Sequence, residues 1–189
     1  PPPAAMPRPR KSPPPPPPPT SLAASVARAL TELDFRFDNY ADGLIRIPFQ
    51  GKLCNADVQL EILEEGRSIR FRVDLQIAVP PRKEAQLLEA VQVLNRSYSV
   101  AQLLFNEQRR TIELYHPVFL ADLEPTPAFL LEQVRVVMHN HDVLHYTLAY
   151  FLLHAMPIDN IEREARTVEE HLMMLWSPIP KDDEEASES

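Results

Sequence analysis

Between residues 68 and 79 the chain reads SIRFRVDLQIAV, in which Ile69, Phe71, Val73, Leu75, Ile77 and Val79 alternate with Ser68, Arg70, Arg72, Asp74, Gln76 and Ala78. Successive side chains of a β-strand point to opposite faces, so this strand has one wholly apolar face and one mostly polar face. A sheet with one dry side and one wet side is the habit of antiparallel strands. The remaining segments must therefore pair with this strand or cover its dry face.

The neighbours read accordingly. A helix capped by Thr20 or Ser21 carries Leu22, Val26, Ala29, Leu30 and Leu33 on one stripe. Residues 39–43 form a turn, and a short strand over 44–50 follows, where Pro48 cannot donate a ladder hydrogen bond and so suggests a sheet edge. Ala56, Val58, Leu60 and Ile62 alternate with polar residues in the next strand, and residues 64–67 turn the chain into the 68–79 strand. Pro80 and Pro81 stop that strand. A helix over 82–96 buries Leu87, Leu88, Val91 and Leu94, and a hairpin of 100–105 with 110–120 places Ile112, Leu114, His116 and Val118 on one face. Thr126 and Pro127 open a further helix as cap and first residue. Its apolar periodicity runs to Ala155, which without interruption gives a rod about 45 Å long. A break or bend is expected at residues 139–142.

Twelve of the 21 prolines lie in residues 1–19, a stretch that cannot bury a core and suits extended polyproline II. Its basic residues beside a PxxP run resemble an SH3-type ligand, against the plainer reading of a disordered spacer. At the other end, residues 181–189 are acidic and expected to be disordered. The first tail carries +3 and the last −4, leaving −7 of the net −8 on the body between. An acidic body repels phosphate backbones, which argues against direct nucleic-acid binding and for a protein partner with a basic surface, nucleic-acid-binding proteins included. A single cysteine excludes an intrachain disulfide and fits a reducing cytoplasm. No apolar run approaches the roughly 20 residues of a membrane span, and no signal-peptide core is seen near the amino end.

Candidate chemistry is sparse. His139, His141 and His145 cluster in HNHDVLH, and His141 and His145 would share a helix face at the four-residue spacing of helical zinc sites. No glutamate follows the first histidine and spacing places no third ligand, so capping or packing histidines at a bend is the plainer alternative. Cys54, in GKLCNAD, reads as a lone buried thiol, with a distant histidine as its alternative partner. His116 reads as a half-buried strand histidine. Nucleotide and hydrolase loop motifs are missing, and three glycines offer little to cradle a phosphate. No catalytic or cofactor-binding residue is assigned. The rival reading is a small metal-dependent enzyme built on His141 and His145.

After Pro157, Ile158, Ile161, Ala165, Val168, Leu172 and Leu175 recur at three- and four-residue spacing, ending beside Trp176. This is the seam of a helix in a groove, which either packs on its own domain or forms a dimer or partner contact.

The element order, with LNRSYSVAQLLFNEQRRTIELYHPVFL leading into the helix at Thr126, resembles the YbjN family, which is similar to type III secretion chaperones; the region of Asn95 and Tyr98 carries the likeness best. The resemblance implies an α+β fold with a five-stranded antiparallel sheet and helices packed on one face; the Pro-rich tail and the extra C-terminal helices, residues 141–176, fall outside the shared pattern. It also implies a non-enzymatic, chaperone-like or regulatory protein-binding role and a homodimer. Four segments result: a Pro-rich tail at 1–19, a YbjN-like domain at 20–140, a helical extension at 141–180 and an acidic tail at 181–189.

Overall fold

The computed structural model describes residues 21–40, 43–50, 54–97 and 101–176. The two tails and Tyr98 lie outside the described residues. The elements are α1 (Leu22–Glu32), β1 (Asp38–Tyr40), β2 (Leu44–Gln50), β3 (Asn55–Leu63), β4 (Ser68–Ala78), α2 (Glu84–Ser97), β5 (Gln102–Asn106), β6 (Thr111–Phe119), α3 (Pro127–His154) and α4 (Ile161–Trp176). Short 3-10 turns precede α2 and α4.

The strands form one antiparallel sheet in the order β1-β2-β3-β4-β6-β5. It has six strands rather than five. The extra one, β1, is the three-residue segment Asp-Asn-Tyr, whose first two residue types disfavour strands. Backbone pairing with Leu44, Ile45 and Arg46 alone makes it a strand. Hence β2 is not the edge that Pro48 suggests. The β1 pairing ends at Arg46, however, so Pro48 lies where β1 asks for no donor.

β4 sits between β3 and β6, and its alternation is realised in full: Ile69, Phe71, Val73, Leu75 and Ile77 are buried among the helices. The helices bury their apolar stripes in the same core, through Leu22, Val26 and Leu30 of α1, Leu87, Val91 and Leu94 of α2, and Leu130, Val134, Val137, Leu144 and Leu148 of α3.

The expected break in α3 does not occur. The helix runs unbroken from Pro127 to His154, 28 residues, or about 42 Å. Its polar middle is absorbed by specific partners instead. Asn140 donates to the Val136 carbonyl at 2.8 Å, Thr147 donates to the Val143 carbonyl at 2.8 Å, His139 meets Glu169 of α4, and His145 meets a strand carbonyl. The division placed between residues 140 and 141 thus falls inside one helix, with Val137, Met138, Val143 and Leu144 buried in the same core.

The turn between β3 and β4 ties distant parts together. Glu64 accepts hydrogen bonds from the backbone N–H groups of Leu22 and Ala23, both at 2.9 Å, while the Ser21 hydroxyl accepts from Ala24. A carboxylate at a helix N-terminus satisfies orphan donors and meets the positive end of the helix dipole. Arg67 reaches the carbonyls of Ala121 and Leu123, fixing the approach to α3. Replacing Glu64 with Ala should cost about 1–2 kcal/mol in urea denaturation, and Glu64→Gln, which keeps an acceptor, should cost less; equal stability of all three chains would contradict this capping role.

Candidate functional site

Three places in the fold bear on function: the histidine cluster of α3, the seam of α4, and the face of the sheet opposite the core.

The cluster forms where β4 leaves its neighbours. Pairing of β3 with β4 extends only to Val58 opposite Val73, and the β4–β6 register shifts between Asp74 and Ala78. Gln76 takes a left-handed φ of 56°, its backbone N–H donates to Asp74, and its side chain reaches the Asn55 carbonyl. The bulge keeps Leu75 and Ile77 facing the core while freeing Leu75 from both ladders. Its carbonyl accepts a hydrogen bond from His145 Nδ1 at 2.6 Å.

His141 lies one turn earlier, wholly buried, its ring stacked on that of His145 with centroids 5.8 Å apart. Cys54, just before β3, brings its sulfur to 3.9 Å from His141 Nδ1. Donor atoms of Cys54, His141 and His145 all lie within 4.8 Å of one another. Asp142, also buried, places a carboxylate oxygen 3.4 Å from His141 Nδ1. His141 Nε2 has no hydrogen-bond partner among the described residues. Burial, and then the charge of Asp142, push the Cys54 thiol above its ordinary pKa.

The structure thus brings His141 and His145 together, adds Cys54, and separates His139, whose Nε2 is 3.5 Å from Glu169 on α4. His116 is separate as well, buried against Phe71 with Nε2 2.9 Å from Gln133 Oε1. Among the described residues no helix is long and apolar enough to cross a membrane.

The α4 seam is seated within the chain. Ile161 and Ala165 are inaccessible, and Val168 and Leu172 are nearly so, packed in the common core; α4 lies against α2 and α3. Ile158 is partly buried against the same core, and the side chains of Leu175 and Trp176 lie outside the described residues. Ile161, Ala165, Val168 and Leu172 are thus turned inward and offer little surface to a second chain in this conformation. Exposed apolar side chains include Met173 and Met174 on the other side of α4, Phe119 at 77% and Leu153 at 78%.

The third place is the open sheet face. Strand alternation puts Leu44, Arg46 and Pro48 of β2, Asp57, Gln59 and Glu61 of β3, Arg70, Arg72 and Asp74 of β4, Glu113 and Tyr115 of β6, and Leu104 of β5 on the side away from the core. Register aligns Arg46, Gln59, Arg72, Tyr115 and Gln102 in one row across five strands. Arg72 lies over the Tyr115 ring and approaches Glu61 at 3.8 Å and Glu113 at 3.9 Å; Arg46 pairs with Asp57, and Arg70 with Glu61. The outer edge of β5 is closed at Leu103, whose N–H and carbonyl are both held by the Asn95 side chain, at 2.7 and 2.9 Å.

An antiparallel sheet with helices on one face and a charged face that no described element covers is a fold shared with solved YbjN. Among solved structures the chain is similar to YbjN from E. coli, with TM-score 0.51 and 14% identity over 70% of this chain and 94% of that one. It is also similar to a chain of the ExsC–ExsE complex, with TM-score 0.55 and 17% identity over 68% and 97%. A looser match, TM-score 0.44 at 9% identity over 60% and 84%, is to the HopA1–SchA chaperone–effector complex. The resemblance to YbjN drawn from the sequence is therefore present in the fold. No family model matches the sequence, and neither does any curated protein.

Because Leu172 is core, Leu172→Asp should destabilise the folded chain by more than about 3 kcal/mol, the cost of an unpaired buried charge. Met174→Asp, one turn-face away and 70% exposed, should stay within about 0.5 kcal/mol. Circular dichroism melts of the two variants check this, and a stable, folded Leu172→Asp chain would contradict the packing of α4.

Proposed function

We propose that this protein is a non-catalytic protein-binding module, chaperone-like or regulatory, which acts as a homodimer in the cytoplasm and takes a protein partner with a basic surface. The observation that carries this reading is the sheet face that no described element covers, on which charged side chains stand beside exposed apolar ones. Asp57, Glu61, Asp74 and Glu113 outnumber Arg46, Arg70 and Arg72 there, while Leu44, Leu104 and Phe119 supply apolar contact area. Mixed apolar and charged composition is what protein interfaces use, and the −7 on the body steers basic partners toward it while disfavouring DNA and RNA. The likeness to a chain from a two-protein complex, ExsC–ExsE, supports the same reading.

With α4 seated internally and β5 closed at Leu103, the exposed end of α3 is the better dimer contact. Tyr146, Tyr150 and His154 stack in succession along it, with Leu153 exposed beside them. Light scattering at tens of micromolar should give twice 21.6 kDa, and Leu153→Glu with Tyr146→Ala should halve it. A 21.6 kDa particle from the unaltered chain would overturn the dimer.

For the partner, the unaltered chain should retain a specific basic protein from cytoplasmic extract, and added salt should weaken the purified pair. Phe119→Asp with Leu104→Asp should abolish the contact without altering the melt. Truncation at residue 141 cannot serve as the control, because it removes half of a core helix. Tight binding of bare single- or double-stranded DNA at physiological salt would sink the proposal.

A further inference from the structure

We propose that Cys54, His141 and His145 bind a zinc-type divalent cation, a property independent of the protein-binding role. One thiolate and two imidazoles are the donors that borderline-soft ions of this class prefer, whereas magnesium and calcium take oxygen. The three donor atoms are held within 4.8 Å by tertiary structure, since Cys54 and His141 stand 87 positions apart in sequence. Metal–ligand distances of about 2.0–2.3 Å in a tetrahedron put donors roughly 3.5 Å apart, so side-chain rotation of about 1 Å closes the set. Cys54 Sγ already lies against the His141 ring, 3.9 Å from Nδ1.

Two further observations point to a ligand. The first is His141 itself, 0% exposed, with Nε2 lacking a hydrogen-bond partner among the described residues. A buried polar nitrogen without a partner is costly, and coordination through Nε2 removes that cost while Asp142 faces Nδ1. The second is the Leu75 carbonyl, which can only accept. His145 Nδ1 therefore carries the proton it donates, and in the neutral ring the lone pair stands on Nε2, free to bind metal. Such a carbonyl behind a histidine fixes tautomer and ring orientation at metal sites. Asp142, beside His141 Nδ1, plays the corresponding part for the other imidazole or supplies a fourth, oxygen donor.

Binding replaces the S–H bond of Cys54 with a metal–sulfur bond and releases the proton to solvent. The thiolate and the Asp142 carboxylate then set two negative charges against the ion's two positive ones. Because Cys54 precedes β3 and both histidines belong to α3, the ion joins helix to sheet where β4 has left its neighbours.

The test uses the full chain, reduced and freed of metal by a chelator. Calorimetric titration with zinc chloride should show one equivalent per chain and raise the melting temperature, and cobalt chloride should produce a near-ultraviolet sulfur-to-cobalt absorption band. Cys54→Ser should abolish that band, and Cys54→Ser and His145→Gln should each weaken zinc binding about tenfold or more. His171→Ala, on the exposed side of α4, should change neither. The proposal is overturned if the unaltered chain takes up no stoichiometric zinc and shows no cobalt band. It is equally overturned if a folded Cys54→Ser, His145→Gln double variant binds zinc as the unaltered chain does.

Discussion

The apolar face of β4 has to remain continuous for the core to close, and it does so past the point where the strand's hydrogen bonding fails. Leu75 and Ile77 must both reach the helices, yet the β6 register cannot follow them. Gln76 in a left-handed conformation reconciles the two demands. That backbone conformation costs a non-glycine residue of order 1 kcal/mol, and the hydrogen bonds of Gln76 to Asp74 and Asn55 help to offset it. The carbonyl released at Leu75 would be a buried orphan without His145. Side-chain chemistry in α3 is therefore a consequence of strand geometry in β4.

This dependence also marks where the sequence stops being legible. Alternation over residues 68–79, the Thr126–Pro127 start of α3, the turn at residues 64–67 and the strand stop at Pro80 and Pro81 are local signals, and the structure follows each of them. The HNHD run at residues 139–142 is local too, but its polarity alone suggests a bend. In the folded chain those side chains find Val136, Glu169 and neighbouring donors, so the helix continues. Here Asn140 bonds the Val136 carbonyl one turn back without interrupting the helix, and His139 is met by Glu169 of α4. Likewise β1 has no apolar alternation to announce it, being held by three backbone pairings with β2. That Cys54 would meet a distant histidine is only an alternative in the sequence, and which histidine is not legible, because nothing in either local stretch encodes a contact between Cys54 and the middle of a helix 87 positions away.

The seam of α4 illustrates a different gap. Three- and four-residue spacing of Ile161, Ala165, Val168 and Leu172 reports that one helix face is to be buried, but says nothing of what buries it. The groove is supplied by α2 and α3 of the same chain. Ser97 of α2 donates to Glu162 at 2.6 Å, and His139 of α3 approaches Glu169, so polar contacts flank the apolar seam on both neighbouring helices. Ile161, Ala165, Val168 and Leu172 so framed are internal packing, and exposed apolar side chains stand instead on the outer end of α3, on the open sheet face and at Met173 and Met174 of α4.

On that division the proposed recognition face and the proposed metal site fall on opposite sides of one sheet. The face carrying Arg46, Arg72 and Glu113 looks away from the core, whereas Cys54, His141 and His145 lie on the helix side at the end of β3 and β4. A cation held there touches none of the side chains a partner would meet. It would act on the backbone instead, by holding the diverging ends of β3 and β4 against α3. Partner affinity would then respond to metal only as far as the open face depends on how firmly those two strands are anchored. Arg72, with Glu61 of β3 and Glu113 of β6 on either side, is the side chain best placed to register such a change.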